Sequence, residues 1–324
     1  MKAVRIHTYG GPNVLVYEEV TTPQPAAGQV LVHVRAASVN PIDVAVRENR
    51  FPTPKQPPKI IGSDGAGVVE AVGPGVTAVH PGDEVVFSGL GVGSEGSYAE
   101  YAVLAEVQAV PKPAGLSFVE AAAMGLVFPT AYYGLTRRAA LRPGETVLVQ
   151  GAAGGVGSAA VQLAVALGGR VLGVVSSEEA AARVRELGAA ATIDRSMTDV
   201  AEAARRLTES RGVDVIVEVA GSDNLAADVQ AVAKGGRIVV IGAGSAPQAP
   251  LPLGAAIAID ASILFMSVNN AGRAGVAEMM REIGGLVEAG KVQPVVGAVL
   301  RLEEARRAHE LLAGRHFGKI VLEP

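Results

Sequence analysis

Apolar runs alternate with alanine-rich, helix-like stretches through the middle of the chain. A first run at Val147, Leu148 and Val149 predicts a buried strand, and a glycine turn and a helical pattern follow it. Further apolar runs occur at 171–175, 213–219, 236–241 and 263–268, and helix-like stretches separate them. Strands that alternate with helices in this way predict a doubly wound parallel sheet, so the expected fold class of this part is α/β.

The N-terminal third of the chain has a different pattern. Segment 1–116 contains short β-rich runs such as VLVHVRAASV, and Pro-Gly pairs break them, which predicts a compact, barrel-like β domain. The C-terminal segment 295–324 predicts a strand, a helix and a strand that return to complete this first domain. We therefore expect two domains, one formed by 1–122 and 270–324 and the other by 123–269.

The glycine turn after the first buried strand has the sequence GAAGGVG at 151–157. A side chain at Gly154 would keep a pyrophosphate away from the backbone amides, and one at Gly157 would push the helix off the strand. The partial positive charge at the start of a helix attracts phosphate. A membrane span is the rival interpretation of this uncharged stretch, but its polar residues and its glycines argue against it. The turn therefore predicts a dinucleotide site that contains Ala152, Gly154, Gly155, Val156 and Gly157.

Two serines bear on the choice of dinucleotide. Ser176 and Ser177 stand about 20 positions past the glycine motif, where an acidic residue would bind the ribose 2′-hydroxyl of NAD. Serine hydroxyls can donate to a 2′-phosphate, whereas a carboxylate would repel it, so NADP(H) is the expected cofactor. Arg183 and Arg195 are candidates for additional positive charge at this phosphate. Their alternative interpretation is that of solvated helix or loop residues.

Composition narrows the range of functions. The chain has 324 residues, a formal net charge of −4 and few aromatic residues, so a small molecule is the expected partner and nucleic acid is not. Because cysteine is absent, disulfides, thiolate nucleophiles and cysteine-ligated zinc are excluded. The N-terminal residues do not form a secretory signal, so the cytoplasm is the expected location and no membrane partner is expected.

Several segments together resemble a known family. They are ASVNPID at 37–43, GSDGAGVVEAVGPGV at 62–76, PGDEVV at 81–86, GAAGGVG at 151–157 and GKIVL at 318–322. In these segments the chain resembles zinc-free medium-chain dehydrogenase/reductases of the quinone oxidoreductase, or zeta-crystallin-like, group. The resemblance implies a GroES-like β-rich barrel domain plus a Rossmann domain, with NADPH as the hydride donor. Zinc-dependent relatives have Gly-His-Glu where this chain has Gly62-Ser63-Asp64, so no metal is expected.

The resemblance also implies positions for site residues. It places Asn40, Asp43 and Arg47 beside the substrate, with Asn40 donating a hydrogen bond to a carbonyl oxygen, although Asn40 before Pro41 could equally be a turn residue. Thr130 is the expected polar contact of the nicotinamide. Residues expected at the cofactor from later strand ends or from the resemblance are Val219, Ala220, Gly221, Ile241, Gly242, Asn269, Asn270 and Lys319.

The function expected from these features is NADPH-dependent reduction of a quinone or another conjugated carbonyl without zinc. An NADPH-dependent enoyl or enone reductase is the alternative within enzymes, and a non-catalytic NADPH-binding structural protein is the alternative from another class. The apolar run ASILFMSV at 261–268 predicts an edge strand that could pair with a second copy, so we expect a homodimer.

Overall fold

The computed structural model describes residues 1–314 and 316–324. The chain divides into two compact units. Unit 1 consists of Met1–Leu126, Ala271–Glu288 and Pro294–Pro324, and unit 2 consists of Val127–Asn270 and Ala289–Gln293. The sequence-based boundaries at 122/123 and 269/270 differ from these limits by a few residues, and they assign 289–293 to the first domain instead.

Strands predominate in the N-terminal part of the described chain, and strands alternate with helices from β9 to β14. The strands are β1 (Lys2–Ile6), β2 (Leu15–Glu19), β3 (Gln29–Ser38), β4 (Lys59–Ile60), β5 (Asp64–Val72), β6 (Glu84–Ser88), β7 (Tyr101–Ala105), β8 (Val110–Pro111), β9 (Thr146–Val149), β10 (Arg170–Val175), β11 (Ala191–Asp194), β12 (Val213–Glu218), β13 (Val232–Val240), β14 (Ser262–Phe265), β15 (Val296–Arg301) and β16 (Lys319–Glu323). The α-helices are α1 (Pro41–Arg47), α2 (Phe118–Met124), α3 (Val127–Tyr132), α4 (Gly155–Ala166), α5 (Glu178–Glu186), α6 (Val200–Leu207), α7 (Gly221–Ala231), α8 (Leu253–Ala258), α9 (Gly272–Glu288) and α10 (Ala305–Leu312). None of these helices is long and apolar enough to cross a membrane.

Unit 1 is built on antiparallel strand pairs, apart from the parallel pair of β15 and β16. One sheet has the order β2-β1-β4, and the other has the order β15-β16-β3-β5-β6-β8 with β7 also paired to β3. The long strand β3 holds this second sheet together, because its first half pairs with β7 and its last residues pair with β16. The C-terminal strand therefore joins the sheet that the N-terminal segment forms, as the sequence predicts.

Unit 2 contains a six-stranded parallel sheet with the order β11-β10-β9-β12-β13-β14. Counted from the first strand of the unit, this is the order 3-2-1-4-5-6 of the dinucleotide-binding Rossmann fold. Leu172, Leu148, Ile216 and Ile238 lie in register on four neighbouring strands, and all four are fully buried. The α/β fold class is confirmed, and the apolar run 263–268 extends past the end of its strand at Phe265.

The close approach of α4 to the turn before it requires a glycine at position 157. A Cβ atom at Gly157 would lie 2.1 Å from the Gly151 carbonyl oxygen and 2.7 Å from Ala152 Cα. Both neighbours are backbone atoms, so a side chain at Gly157 would have to displace either the helix or the turn.

We expect Gly157→Ala to lower the free energy of unfolding by about 1–3 kcal/mol, because it forces backbone atoms apart in a packed interior. Gly285→Ala in α9 is the matched control. A Cβ at Gly285 would meet no atom within 4 Å, so alanine should stabilise the helix by about 0.5–1 kcal/mol. Urea denaturation of both variants measures the difference, and equal stabilities would contradict the close approach.

Candidate functional site

A crevice lies in unit 2 where the strand order reverses. β10 and β12 flank β9 on opposite sides, so the connection from β9 to β10 and the connection from β12 to β13 run in opposite directions from adjacent strand ends. The turn after β9 begins at Gly151, whose φ is +58°, in the left-handed region. A Cβ at Gly151 would lie 3.1 Å from Val219 Cγ2, so the two segments meet at this point.

The start of α4 at this crevice has the form of a phosphate site. Gly154 is the N-cap, and α4 begins at Gly155, so the amides of Gly155 and Val156 in its first turn have no acceptor within the helix. A Cβ at Gly154 would meet only the Gly151 carbonyl oxygen, at 3.4 Å, which leaves the space in front of these amides open. Free amides and the positive end of the helix dipole are the features that bind a pyrophosphate.

Ala152 has a different role from the one that the sequence suggests. Its side chain is fully buried, and its N–H donates to the Val174 carbonyl at 2.9 Å. The amide is therefore not available to a phosphate, and Ala152 fixes the turn onto β10 instead.

The segments after β12 and β13 lie side by side at the same edge. The Gly221 N–H donates to the Gly242 carbonyl at 2.9 Å, and the Ile241 N–H donates to the Glu218 carbonyl at 2.8 Å. A Cβ at Gly242 would lie 2.0 Å from the Val219 carbonyl oxygen. The structure thus brings together Val219, Ala220, Gly221, Ile241 and Gly242 beside the glycine turn. Asn269 and Asn270 are exposed in a 3₁₀ turn after β14, on the far side of β13.

The end of β10 holds the residues expected at a 2′-phosphate. Ser176 follows the strand directly, and Ser177 caps α5 by accepting a hydrogen bond from the Ala180 N–H at 3.2 Å. The Arg195 N–H donates to the Val175 carbonyl at 3.0 Å, so Arg195 lies next to Ser176. Arg183 lies farther along α5 and pairs with Glu179 at 3.1 Å. Arg195 is therefore better placed than Arg183.

Asn40 lies in the interior of unit 1. It precedes α1, whose first residue is Pro41, and its side chain is fully buried. Asn40 Nδ2 donates to Asp64 Oδ1 at 2.9 Å and to the Ser38 carbonyl at 3.2 Å, and Asn40 Oδ1 accepts from Lys319 Nζ at 2.6 Å. Both N–H groups are occupied, so the structure does not support the expected donation from Asn40 to a substrate carbonyl.

Asp64 and Lys319 complete this cluster. The Asp64 carboxylate also accepts from the Ser38 hydroxyl at 2.8 Å and from the Leu126 N–H at 2.8 Å. Lys319 Nζ donates to the Val39 carbonyl as well as to Asn40, and burial lowers the Lys319 pKa. The sequence assigns Lys319 to the cofactor, whereas the structure places its ammonium group in the charge balance around Asn40.

Asp43 is buried beside this cluster. Asp43 Oδ2 accepts from the Asn40 N–H at 2.9 Å and from the Tyr98 hydroxyl at 3.1 Å, and Asp43 Oδ1 accepts from the Ser63 hydroxyl. Burial raises the Asp43 pKa to about 7, although the Ser63 hydrogen bond opposes the shift. Asp43 thus holds the start of α1, and its carboxylate is enclosed by protein donors.

Arg47 is also an interior residue, which corrects the expectation that it faces a substrate. Its side chain is 2 % exposed; Nε donates to the Gly10 carbonyl at 3.0 Å, and a terminal nitrogen donates to His309 Nδ1 at 2.9 Å. Arginine can only donate, so His309 is the tautomer that carries its proton on Nε2, which lies 3.2 Å from the Tyr98 hydroxyl. Burial and the Arg47 charge lower the His309 pKa to about 3.

Sequence reasoning did not find Tyr98 and His309. They lie 55 and 262 residues from their partners Asp43 and Arg47, and no local motif marks either of them.

Thr130 is buried in α3 of unit 2, two residues after the buried Phe128. Among the residues that the structure describes, no three histidine or acidic side chains are grouped so as to hold a metal ion.

Comparisons with known proteins agree with this architecture. Residues 26–114 match the family model described as an alcohol dehydrogenase GroES-like domain, and residues 187–322 match the one described as a zinc-binding dehydrogenase. The chain is 38 % identical to a quinone oxidoreductase from Pseudomonas aeruginosa, over 100 % of this chain and 99 % of that protein. It is 36 % identical to the quinone oxidoreductase of Rattus norvegicus (99 % and 97 % covered) and 34 % identical to a 2-haloacrylate reductase from a Burkholderia species (99 % and 98 % covered).

Solved structures show the same similarity. An NAD-dependent alcohol dehydrogenase superposes with a TM-score of 0.94 at 38 % identity, and both chains are covered completely. The Escherichia coli quinone oxidoreductase complexed with NADPH superposes with a TM-score of 0.91 at 29 % identity, again over both complete chains. The GroES-like domain and the Rossmann sheet expected from the sequence are confirmed. The chain belongs to the quinone oxidoreductase family of medium-chain dehydrogenase/reductases and is an oxidoreductase.

Proposed function

We propose that this chain uses NADPH to reduce quinones or other conjugated carbonyls without a bound metal ion. The observation that carries the proposal is the cradle at the start of α4, where Gly157 allows the helix to approach the turn and Gly154 leaves the helix amides open. Two relatives are named quinone oxidoreductases, and the E. coli structure of that name contains NADPH.

The residues of unit 2 fit an NADPH molecule at both of its charged ends. The amides of Gly155 and Val156 would hold the pyrophosphate, and Ser176 and Arg195 would hold the 2′-phosphate. One similar structure is named an NAD-dependent enzyme. The preference of this chain for NADPH over NADH therefore depends on contacts to the 2′-phosphate. Ser176 stands where a carboxylate would favour NAD, and Arg195 adds a positive charge beside it.

The donor groups in unit 1 favour a metal-independent reaction. A catalytic zinc ion needs about three protein ligands, usually histidine, cysteine or carboxylate. At the positions that resemble the zinc-binding motif, the Ser63 hydroxyl donates to Asp43, and the Asp64 carboxylate accepts three hydrogen bonds. Both Asp64 carboxylate oxygens are therefore already engaged by protein donors.

The chemistry required of the chain is modest. When bound, NADPH supplies a hydride, and a conjugated acceptor is already electrophilic, so the protein has to bind and orient both molecules. Asn40, Asp43 and Arg47 have their polar atoms engaged with other protein groups, which leaves water as the proton source for the product.

A second candidate function is reduction of a carbon–carbon double bond conjugated to a carbonyl or carboxyl group. The similarity to a 2-haloacrylate reductase favours it, because that name denotes an unsaturated acid as the substrate. The same cofactor site would serve both reactions.

Steady-state assays with NADPH against a panel of quinones and enones test the proposal directly. We expect oxidation of NADPH with quinones, a slower rate with NADH and no loss of rate after exhaustive chelation. Faster turnover of enones would favour the second candidate. Tight NADPH binding without turnover of any acceptor would favour the non-catalytic alternative, and loss of activity on chelation would contradict a metal-independent reaction.

Arg195→Gln should raise the KM for NADPH by about tenfold and leave the KM for NADH unchanged, because it removes a charge-assisted contact to the 2′-phosphate. Arg183→Gln is the matched control, since Arg183 already pairs with Glu179 on the exposed face of α5. An equal effect of Arg195→Gln on both cofactors would show that Arg195 does not recognise the phosphate.

We also propose that the chain forms a homodimer through β14. This strand is at one edge of the sheet, and Phe265 on it is 66 % exposed. Phe265→Lys should shift the mass measured by light scattering at micromolar concentration from dimer to monomer. Met197→Lys, at an exposed apolar residue after the opposite edge strand β11, should leave the mass unchanged. A wild-type monomer would contradict the proposal.

A further inference from the structure

Two carboxyl groups are buried together in unit 2. Glu218, the last residue of β12, is fully buried, and Asp228 on α7 is 1 % exposed. Each has one oxygen with protein donors. Glu218 Oε1 accepts from the Ala220 N–H and from Asn224 Nδ2 at 3.2 Å, and Asp228 Oδ1 accepts from Gln150 Nε2 at 2.9 Å.

The other two oxygens, Glu218 Oε2 and Asp228 Oδ2, are buried and have no donor among the described residues. The two carboxyl groups are neighbours, because both the charge of Glu218 and side-chain hydrogen bonding with Glu218 raise the Asp228 pKa. A buried acceptor without a donor is costly, and two adjacent carboxylates in an apolar interior repel each other. One proton between the two groups removes both penalties, because one carboxyl then donates to the other.

No cation is among the groups that shift the Asp228 pKa; Arg206 of α6 pairs with Glu202, and Lys234 of β13 is exposed. On the helix and strand packed against α7, Arg205 of α6 donates to the Gln230 carbonyl and Arg237 of β13 pairs with Glu145. α8 carries no charged residue. Burial is the main cause and the neighbouring Glu218 the second cause that raise the Asp228 pKa to about 9. At neutral pH the pair therefore holds one proton.

The pair connects the two segments that form the crevice. Gln150, the partner of Asp228, directly precedes the glycine turn, and its own N–H donates to the Val217 carbonyl at 3.0 Å. Ala220 and Asn224, the partners of Glu218, belong to the segment that follows β12 and to the first turn of α7. A hydrogen bond between the two carboxyl groups would therefore close a chain of hydrogen bonds from the end of β9 to the end of β12.

We propose that Glu218 and Asp228 share one proton and act as positioning residues, which hold the two crevice segments in the arrangement that binds the dinucleotide. The link to the cofactor rests on the proposed function, whereas the shared proton does not. Loss of this proton at alkaline pH would push the carboxylates apart, shift Gln150 and Ala220, and weaken cofactor binding.

Urea denaturation without cofactor tests the shared proton. An acid whose folded pKa is raised binds its proton in the folded state only, so its contribution to stability falls as the pH rises from about 4 to about 9 and is constant above that. The wild-type midpoint should therefore decline over this range. Asp228→Asn should remove much of this decline, because its amide donates to Glu218 Oε2 at every pH, and Glu218→Gln should act in the same way from the other side. Asp260→Asn, at an exposed position, is the control and should follow the wild type.

NADPH titrations monitored by cofactor fluorescence test the positioning role. The wild-type Kd should rise about tenfold between about pH 7.5 and pH 10, whereas the Kd of Asp228→Asn should change less than about twofold. The decisive range is about pH 7 to pH 9, above the pKa of Asp43. A wild-type decline in stability over this range that persists in Asp228→Asn and Glu218→Gln would overturn the shared proton. Equal pH dependence of the Kd in wild type and Asp228→Asn would overturn the positioning role. If NADPH binds at no pH, the proposed function fails, and the denaturation result still decides the shared proton.

Discussion

The closeness of α4 to the turn before it is the constraint on which the rest of unit 2 depends. With Gly157 Cα against the backbone of Gly151 and Ala152, the helix starts directly at the edge of the sheet. Its free amides are thereby aimed at the crevice where the strand order reverses. The hydrogen bond from the buried Ala152 N–H to the Val174 carbonyl joins the same turn to β10, so the segments proposed to hold the pyrophosphate and the ribose are fixed to one sheet.

Buried carboxyl groups are compensated in different ways in the two units. In unit 1 the buried carboxylates Asp43 and Asp64 are accompanied by the buried cations Arg47 and Lys319, and hydrogen bonds through Asn40, Tyr98 and His309 connect them. Groups of opposite charge thus lie in one network, and Arg47 also pairs with Glu48, which is how a protein interior tolerates ions. In unit 2 the carboxyl pair of Glu218 and Asp228 has no cation, and a proton is the remaining way to balance it.

The parts of the structure that depend on residues close together in the sequence could be predicted from it. Strand, glycine turn and helix lie within one stretch of chain, and Ser176 follows at a fixed distance, so the Rossmann sheet and the shape of its crevice could be inferred. The partners of Asn40 and Arg47 could not, because Lys319 and His309 are 279 and 262 residues away. The sequence suggested that polar residues near 40–47 face a substrate. Tertiary packing instead gives each of them a buried partner, and pattern alone does not distinguish the two outcomes.

We propose that the crevice of unit 2 binds a 2′-phosphorylated dinucleotide through backbone amides, Ser176 and Arg195. Calorimetric titration of the wild-type protein with NADPH and with NADH tests it most directly. We expect one NADPH bound per chain, with a Kd clearly lower than that of NADH. Absence of binding by either nucleotide, or tighter binding of NADH, would contradict it.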